Sequence, residues 1–132
     1  MSLSDPVADA LTCIRNATKA RKERVDLRAS FLTTEILKVL KRERFIYDYR
    51  LIEDKKQGLL RVYLKKVNEP VRRITRISRV SRPGLRIYTK RDSIPVVLNG
   101  LGTCVLSTSQ GILSGEEAKK RGLGGEVLLK IW

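Results

Sequence analysis

Val7, Ala10, Leu11, Ile14 and Ala17 recur three and four residues apart behind Asp5-Pro6, and Thr12, Arg15, Asn16 and Lys19 fall on the other side. This spacing predicts an amphipathic helix with an acidic N-cap and a proline in its first turn, where the missing N–H costs nothing. After a basic connection over 20–24, residues 25–28 read as a short strand. Ser30 opens a second helix with Phe31, Leu32, Ile36, Leu37, Val39 and Leu40 turned inward, and its basic end over 38–44 suits the negative end of the helix dipole. From Phe45 the period drops to two. Phe45, Tyr47, Tyr49 and Leu51 alternate with Ile46, Asp48, Arg50 and Ile52, and Leu60, Val62 and Leu64 alternate with Arg61, Tyr63 and Lys65. The polar segment between them ends in Gly58, so the two runs form a hairpin. An αβαββ unit therefore fills residues 1–66, and Asn68-Glu69-Pro70 marks the boundary to a second domain over 67–132.

That second domain reads as β-rich. Strands are expected over 74–78, 85–89, 103–109 and 126–132, with turns at Arg82-Pro83-Gly84 and Asn99-Gly100. Val71, Ile74, Ile77 and Val80 lie three apart, a spacing that also suits a helix, but the β-branched content favours strand. Ser114-Gly115-Glu116-Glu117 is a capping box that starts a short helix, and Gly122 closes it. The fold class is α/β in the α+β sense: two small domains, the C-terminal one β-rich with a short helix.

Charge changes the picture. The 42% hydrophobic fraction is that of a globular chain, yet 28 Lys+Arg stand against 14 Asp+Glu, a net +14. Such a balance predicts a polyanionic partner, most often nucleic acid and less often a membrane surface. No apolar run approaches the length of a membrane span, and Ser4-Asp5-Pro6 interrupts any signal-peptide core. Histidine is absent, which removes the commonest general base and the commonest metal ligand together. Cys13 and Cys104 are far apart with no CxxC spacing and read as two buried thiols of a reducing cytoplasm. Gly100-x-Gly102 lacks the third glycine and the following helix of a dinucleotide fingerprint. No catalytic residue, metal or cofactor is expected.

The residues that remain point to a polyanion. Between 71 and 91 the chain carries Arg72, Arg73, Arg76, Arg79, Arg82, Arg86, Lys90 and Arg91 without one Asp or Glu. Beyond it Gly102 and Gly111 bracket Ser107-Thr108-Ser109. Such a triplet is either a strand end emerging into solvent or a hydroxyl cluster that pairs with ribose 2′-OH, phosphate and base edges. Alternation places Ser107 and Ser109 on one face and Thr108 on the other. Arg86 and Tyr88 share a face of the preceding strand, and an aromatic ring among cations offers a stacking surface that unpaired RNA bases use. RNA is the first reading, DNA or another polyanion the second. A messenger-binding regulator and an enzyme acting on nucleotides are the rival functions.

Five blocks then carry a family resemblance: Asp5-Pro6-Val7-Ala8-Asp9-Ala10-Leu11-Thr12 with Arg15-Asn16, Ser81-Arg82-Pro83-Gly84-Leu85-Arg86-Ile87-Tyr88, Leu98-Asn99-Gly100-Leu101-Gly102, Ser107-Thr108-Ser109-x-Gly111, and Gly124-Gly125-Glu126-Val127-Leu128. In this order the chain resembles, end to end, the bacterial family of ribosomal protein eight of the small subunit. The resemblance implies a two-domain, non-enzymatic protein of the cytoplasmic ribosome that binds the central domain of small-subunit (16S) ribosomal RNA early and directly. It implies a role in building the platform near proteins five and twelve, with no membrane partner, and a monomer when free. It also implies that Ser107, Thr108, Ser109, Tyr88, Gly124, Gly125 and Glu126 face the RNA. Arg82 and Arg86, the helix face of Thr12, Arg15, Asn16 and Lys19, and the hairpin-loop Lys55 and Lys56 would hold its backbone. Two positions depart from the family pattern: Gln110 stands where a basic residue is common, and Lys130 where an apolar or aromatic one is.

Overall fold

The computed structural model describes residues 5–53, 58–65, 68 and 70–132. They fall into two compact units, Pro6–Ile74 and Thr75–Trp132, the second joined by Asp5. Segment 70–74 stays with the first unit. The Arg72 N–H donates to the Arg44 carbonyl at 2.7 Å, and its guanidinium lies 4.1 Å from the centre of the Phe45 ring.

In the first unit, α1 (Pro6–Lys19) and α2 (Phe31–Arg42) cover a three-stranded antiparallel sheet of β1 (Arg24–Arg28), β2 (Asp48–Ile52) and β3 (Leu59–Tyr63), with β3 central. Its register runs unbroken, with rows such as Val25–Val62–Tyr49 and Leu27–Leu60–Leu51. Leu27, Leu60 and Val62 are buried, as are Val7, Leu11 and Ile14 of α1 and Ile36, Leu37 and Leu40 of α2. The α2 stripe differs from the expected one at its start. Phe31 is 80% exposed, while Thr33 is buried one turn before Ile36 and Leu37. Thr33 is tolerated there because the N-cap Ser30 hydroxyl accepts its N–H at 3.1 Å and donates to its Oγ1 at 2.8 Å. Phe45 and Ile46 are buried in a bend ahead of β2, and Leu51, at the outer strand, is exposed.

The second unit is built on its last strand. β8 (Gly125–Ile131) pairs with β6 (Thr103–Thr108) along one edge, and with β4 (Ile77–Arg79) and then β5 (Tyr88–Thr89) along the other. β7 (Gly111–Ser114), a strand the alternation did not mark, extends the sheet beyond β6. β4 begins three residues later than expected, and β5 is shorter because the chain ahead of it is occupied by an Arg82–Leu85 bridge and its turn. α3 (Gly115–Lys120) starts where the capping box places it, the Ser114 hydroxyl accepting the Glu117 N–H at 3.2 Å. It covers a core of Val97, Cys104, Leu106, Leu113, Ala118 and Val127.

One irregularity shapes this sheet. Val105 opposes Leu129, but Leu106 opposes Val127, so Leu128 is the extra residue of a β-bulge. The bulge reverses the alternation of β8. Val127, Leu128 and Leu129 are all buried in succession.

Candidate nucleic-acid interface

Beyond the bulge, Glu126 lies opposite Ser107 on one side and opposite Tyr88 on the other, and Ser107 lies opposite Ile112. Directly opposed residues of neighbouring strands share a face, so Tyr88, Glu126 and Ser107 form one row across β5, β8 and β6. Tyr88 is 70% exposed, an aromatic surface with no covering side chain to explain it. The Glu126 carboxylate accepts from the Arg86 Nη1 at 3.1 Å. Among the described residues, the Ser107 and Ser109 hydroxyls make no hydrogen bond to the protein. The sequence places Arg86 and Tyr88 beside the hydroxyl strand; in the fold, β8 and its Glu126 stand between them.

The Ser107-Thr108-Ser109 triplet divides into three different environments. Ser107 is half-buried in β6. Thr108 ends the strand, and its hydroxyl is already committed, donating to the Gly111 carbonyl at 2.8 Å and accepting the Gln110 N–H at 3.2 Å. Ser109 is exposed in the two-residue Ser109-Gln110 turn between Thr108 and Gly111, so strand alternation does not carry it onto the face of Ser107. Gly111 enters β7 with φ +105°, a conformation suited to glycine. The Gln110 side chain accepts from the Arg121 Nη1 at 3.2 Å, which brings a cation to this turn from the end of α3.

Close backbone approach explains the two neighbouring glycines. A Cβ on Gly125 would collide with the Ser107 carbonyl oxygen, and one on Gly124 with the Thr89 carbonyl oxygen. Two further residues bond to the backbone around the row, and the sequence reading missed both. The Ser81 hydroxyl is fully buried, accepts the Ile87 N–H at 2.8 Å and donates to the Ile87 carbonyl at 3.1 Å. It thereby fastens the segment that carries Arg86 and Tyr88. The available signal was a small hydroxyl directly ahead of the Arg82-Pro83-Gly84 turn, where such groups replace backbone partners. The second is Arg79, whose Nη1 donates to the Leu128 carbonyl at 2.8 Å.

The arginine block is unopposed only along the chain. Arg72 lies 3.9 Å from Glu43, Arg79 3.2 Å from Asp5, Arg86 3.1 Å from Glu126 and Arg91 3.9 Å from Asp92. Arg79 is also too buried to reach a ligand. Arg82 is exposed, with its backbone N–H on the Leu85 carbonyl at 3.0 Å, and no carboxylate lies beside it among the described residues.

On α1, Thr12, Asn16 and Lys19 are exposed and Arg15 is half-buried, on one face as the spacing requires. The Thr12 hydroxyl bonds back to the Ala8 carbonyl at 2.9 Å. Lys55 and Lys56 lie outside the described residues. Cys13 is exposed, against the expectation of two buried thiols, because it sits beside the apolar stripe of α1 and not within it. Cys104 is buried, and burial pushes its thiol up from the ordinary value. It borders a cleft of about 340 Å³ formed by residues such as Ile94, Pro95, Val97 and Gly115, and its Sγ donates to the Pro95 carbonyl at 3.6 Å. A protonated, partnered thiol gives this cleft no nucleophile. Among the described residues, no group of three or more His, Cys, Asp or Glu side chains is placed to hold a metal ion, and no helix is long and apolar enough to cross a membrane.

The model of the ribosomal protein S8 family matches residues 5–132. Small ribosomal subunit protein uS8 of Geobacillus kaustophilus (strain HTA426) is 52% identical over 132 residues, covering 100% of both chains. The protein of the same name from Oceanobacillus iheyensis is 51% identical over 100% of both chains. That of Geobacillus stearothermophilus is 53% identical over 99% of each.

Proposed function

The chain belongs to the ribosomal protein S8 family, and from that membership we propose that it is a primary binder of small-subunit ribosomal RNA. It is a structural, non-enzymatic constituent of the small ribosomal subunit. In this reading it binds the central domain of the 16S RNA and helps assemble the platform. It works on the ribosome in the cytoplasm, is a monomer before it binds, and is a neighbour of proteins five and twelve once bound.

The observation that carries this reading is the Tyr88–Glu126–Ser107 row. The row offers three different chemistries side by side: an exposed ring for an unstacked base, a carboxylate that accepts from base amino or imino groups, and a hydroxyl without a protein partner. Single-stranded and irregular RNA presents all three complements, with its 2′-OH as the hydroxyl's partner, whereas intact duplex DNA buries its base faces. Gly124 and Gly125 keep the neighbouring backbone close and flat. Arg82, Arg86, the Ser109 turn and the α1 face of Thr12, Arg15, Asn16 and Lys19 hold phosphates, and Lys55 and Lys56 are assigned the same task; these set position and not sequence. Thr108 serves the interface by shaping the turn.

Chemical footprinting on naked small-subunit ribosomal RNA tests the reading. Protection confined to the central domain, lost with Tyr88→Ala, is the outcome it requires. Scattered protection, competed equally well by duplex DNA, would mean that the chain is a generic polyanion binder.

A further inference from the structure

Arg79 is hidden from any RNA, yet its bonds end on the residue that decides what the RNA-facing row contains. Its Nη1 donates to the Leu128 carbonyl at 2.8 Å, and the Val80 N–H donates to the same oxygen at 3.0 Å. The opposite side of the guanidinium is a fork on Asp5, with Nε 3.2 Å from Oδ2 and Nη2 3.5 Å from Oδ1. The Arg79 side chain is only 9% exposed and that of Asp5 17%. A buried arginine needs acceptors of this kind to offset the loss of its hydration.

Leu128 is the extra residue of the bulge, and the consequence of losing it follows from strand arithmetic. From Val105 opposite Leu129, an unbulged ladder would set Leu106 opposite Leu128, Ser107 opposite Val127 and Thr108 opposite Glu126. A slip of one residue sends every later side chain to the other face. Glu126 would then turn away from Ser107, and Val127, now 1% exposed, would leave the core of the unit.

We infer that Arg79, clamped by Asp5, is a positioning residue for RNA recognition: by holding the Leu128 carbonyl it fixes the bulge that brings Glu126 onto the face of Ser107. Arg79 reaches this carbonyl from the β4 edge of β8, opposite the edge that pairs with β6. The geometry calls for arginine specifically. A lysine carries the same charge but has one nitrogen, so it reaches either the Asp5 carboxylate or the Leu128 oxygen and not both. The inference rests on the row being the RNA-binding face, and its test separates the two.

Two variants of the full chain, Arg79→Lys and Asp5→Asn, are compared with the parent by amide-to-amide nuclear Overhauser contacts across β6 and β8, and by RNA titration. In the parent, the register gives cross-strand contacts that pair Ser107 with Glu126. In Arg79→Lys these should weaken or be replaced by contacts pairing Ser107 with Val127, and cognate affinity should fall about tenfold while non-cognate affinity stays within about twofold. Asp5→Asn should show the same change in smaller measure. Parent-like contacts in a folded Arg79→Lys protein overturn the positioning role, whatever the RNA does. A shifted register with undiminished cognate affinity leaves the positioning intact and overturns the row as the RNA face. Should Arg79→Lys fail to fold, Asp5→Asn decides alone: a parent-like register there overturns the inference, a shifted one supports it.

Discussion

The two sheets of this molecule differ in regularity, and the difference tracks what their surfaces have left to offer. The three-stranded sheet runs five residues per strand in unbroken register, and its outward charges are largely satisfied internally. Arg61 forks onto Asp26 at 2.9 and 3.3 Å, Lys41 meets Asp48 at 3.0 Å, and Arg50 lies 5.8 Å from the centre of the Tyr63 ring. The five-stranded sheet breaks register at Leu128, and beyond the break a hydroxyl and an aromatic ring stand without protein partners. A regular sheet pairs its polar groups with each other. A bulged one changes which side chains share a face.

The largest expected effect separates stability from recognition. Leu60 is fully buried at the centre of the regular sheet. Leu60→Ala should cost about 2–5 kcal/mol in denaturant unfolding, while the folded fraction keeps the parent's ratio of cognate to non-cognate RNA affinity. A changed ratio would mean that the regular sheet also reads RNA.

Next comes the hydroxyl on the bulged sheet. Ser107→Ala should weaken cognate binding by about 1–3 kcal/mol, roughly tenfold or more, with circular dichroism intact and non-specific binding barely moved. Thr108→Ala should instead lower stability by about 0.5–1.5 kcal/mol through the Gly111 and Gln110 bonds. If the two substitutions exchange these signatures, the side chains of β6 have been assigned to the wrong tasks.

Salt dependence sharpens the comparison further. For roughly four to eight neutralised phosphates the log–log slope should lie at about −3 to −7. Arg82→Ala should make the slope shallower by about one and weaken all RNAs alike. Arg79→Lys should leave the slope unchanged, since its charge is largely buried against Asp5. An equal effect of both on slope would show that burial does not sort this arginine block.

The smallest effect belongs to the Asp26–Arg61 pair. The Arg61 hydrogen bond holds the Asp26 carboxyl below its ordinary value, against a smaller opposing effect of burial. A lowered folded-state value stabilises above the unfolded carboxylate range and ceases to do so as pH falls through the folded value. Asp26→Asn should therefore reduce stability near neutral pH by about 1 kcal/mol or less, because the pair is exposed. The difference in Tm should vanish in strong acid. A difference that grows toward acid would have the wrong sign for this pair.

Local signals were legible in the sequence and long-range ones were not. The start of α1 at Pro6, the Ser30 cap and the Ser114 box were readable because each depends on side chains within one turn. Phe31 misled because an apolar residue at the first helical position looks like part of the stripe, while the true member, Thr33, is polar. The arginine block looked unopposed because most of its partners are remote: Asp5 lies 74 residues from Arg79, and Glu126 40 from Arg86. Ser107 and Ser109 looked equivalent because alternation says nothing about where a strand gives way to a turn. The bulge leaves no compositional trace at all, since Val127-Leu128-Leu129 reads as an ordinary apolar run.

The position of β8 also imposes a timetable on synthesis. β4, β5 and β6 all precede it in the chain, and all three pair with it and not with one another. While the chain is being made, the edges that β8 will fill stay open, with β6 paired only to β7, a state that invites misassociation with other nascent chains. The Tyr88–Glu126–Ser107 row comes into existence only when residues 125–131 have left the exit tunnel. A chain cut short by a damaged message would carry most of the positive charge but none of the assembled row.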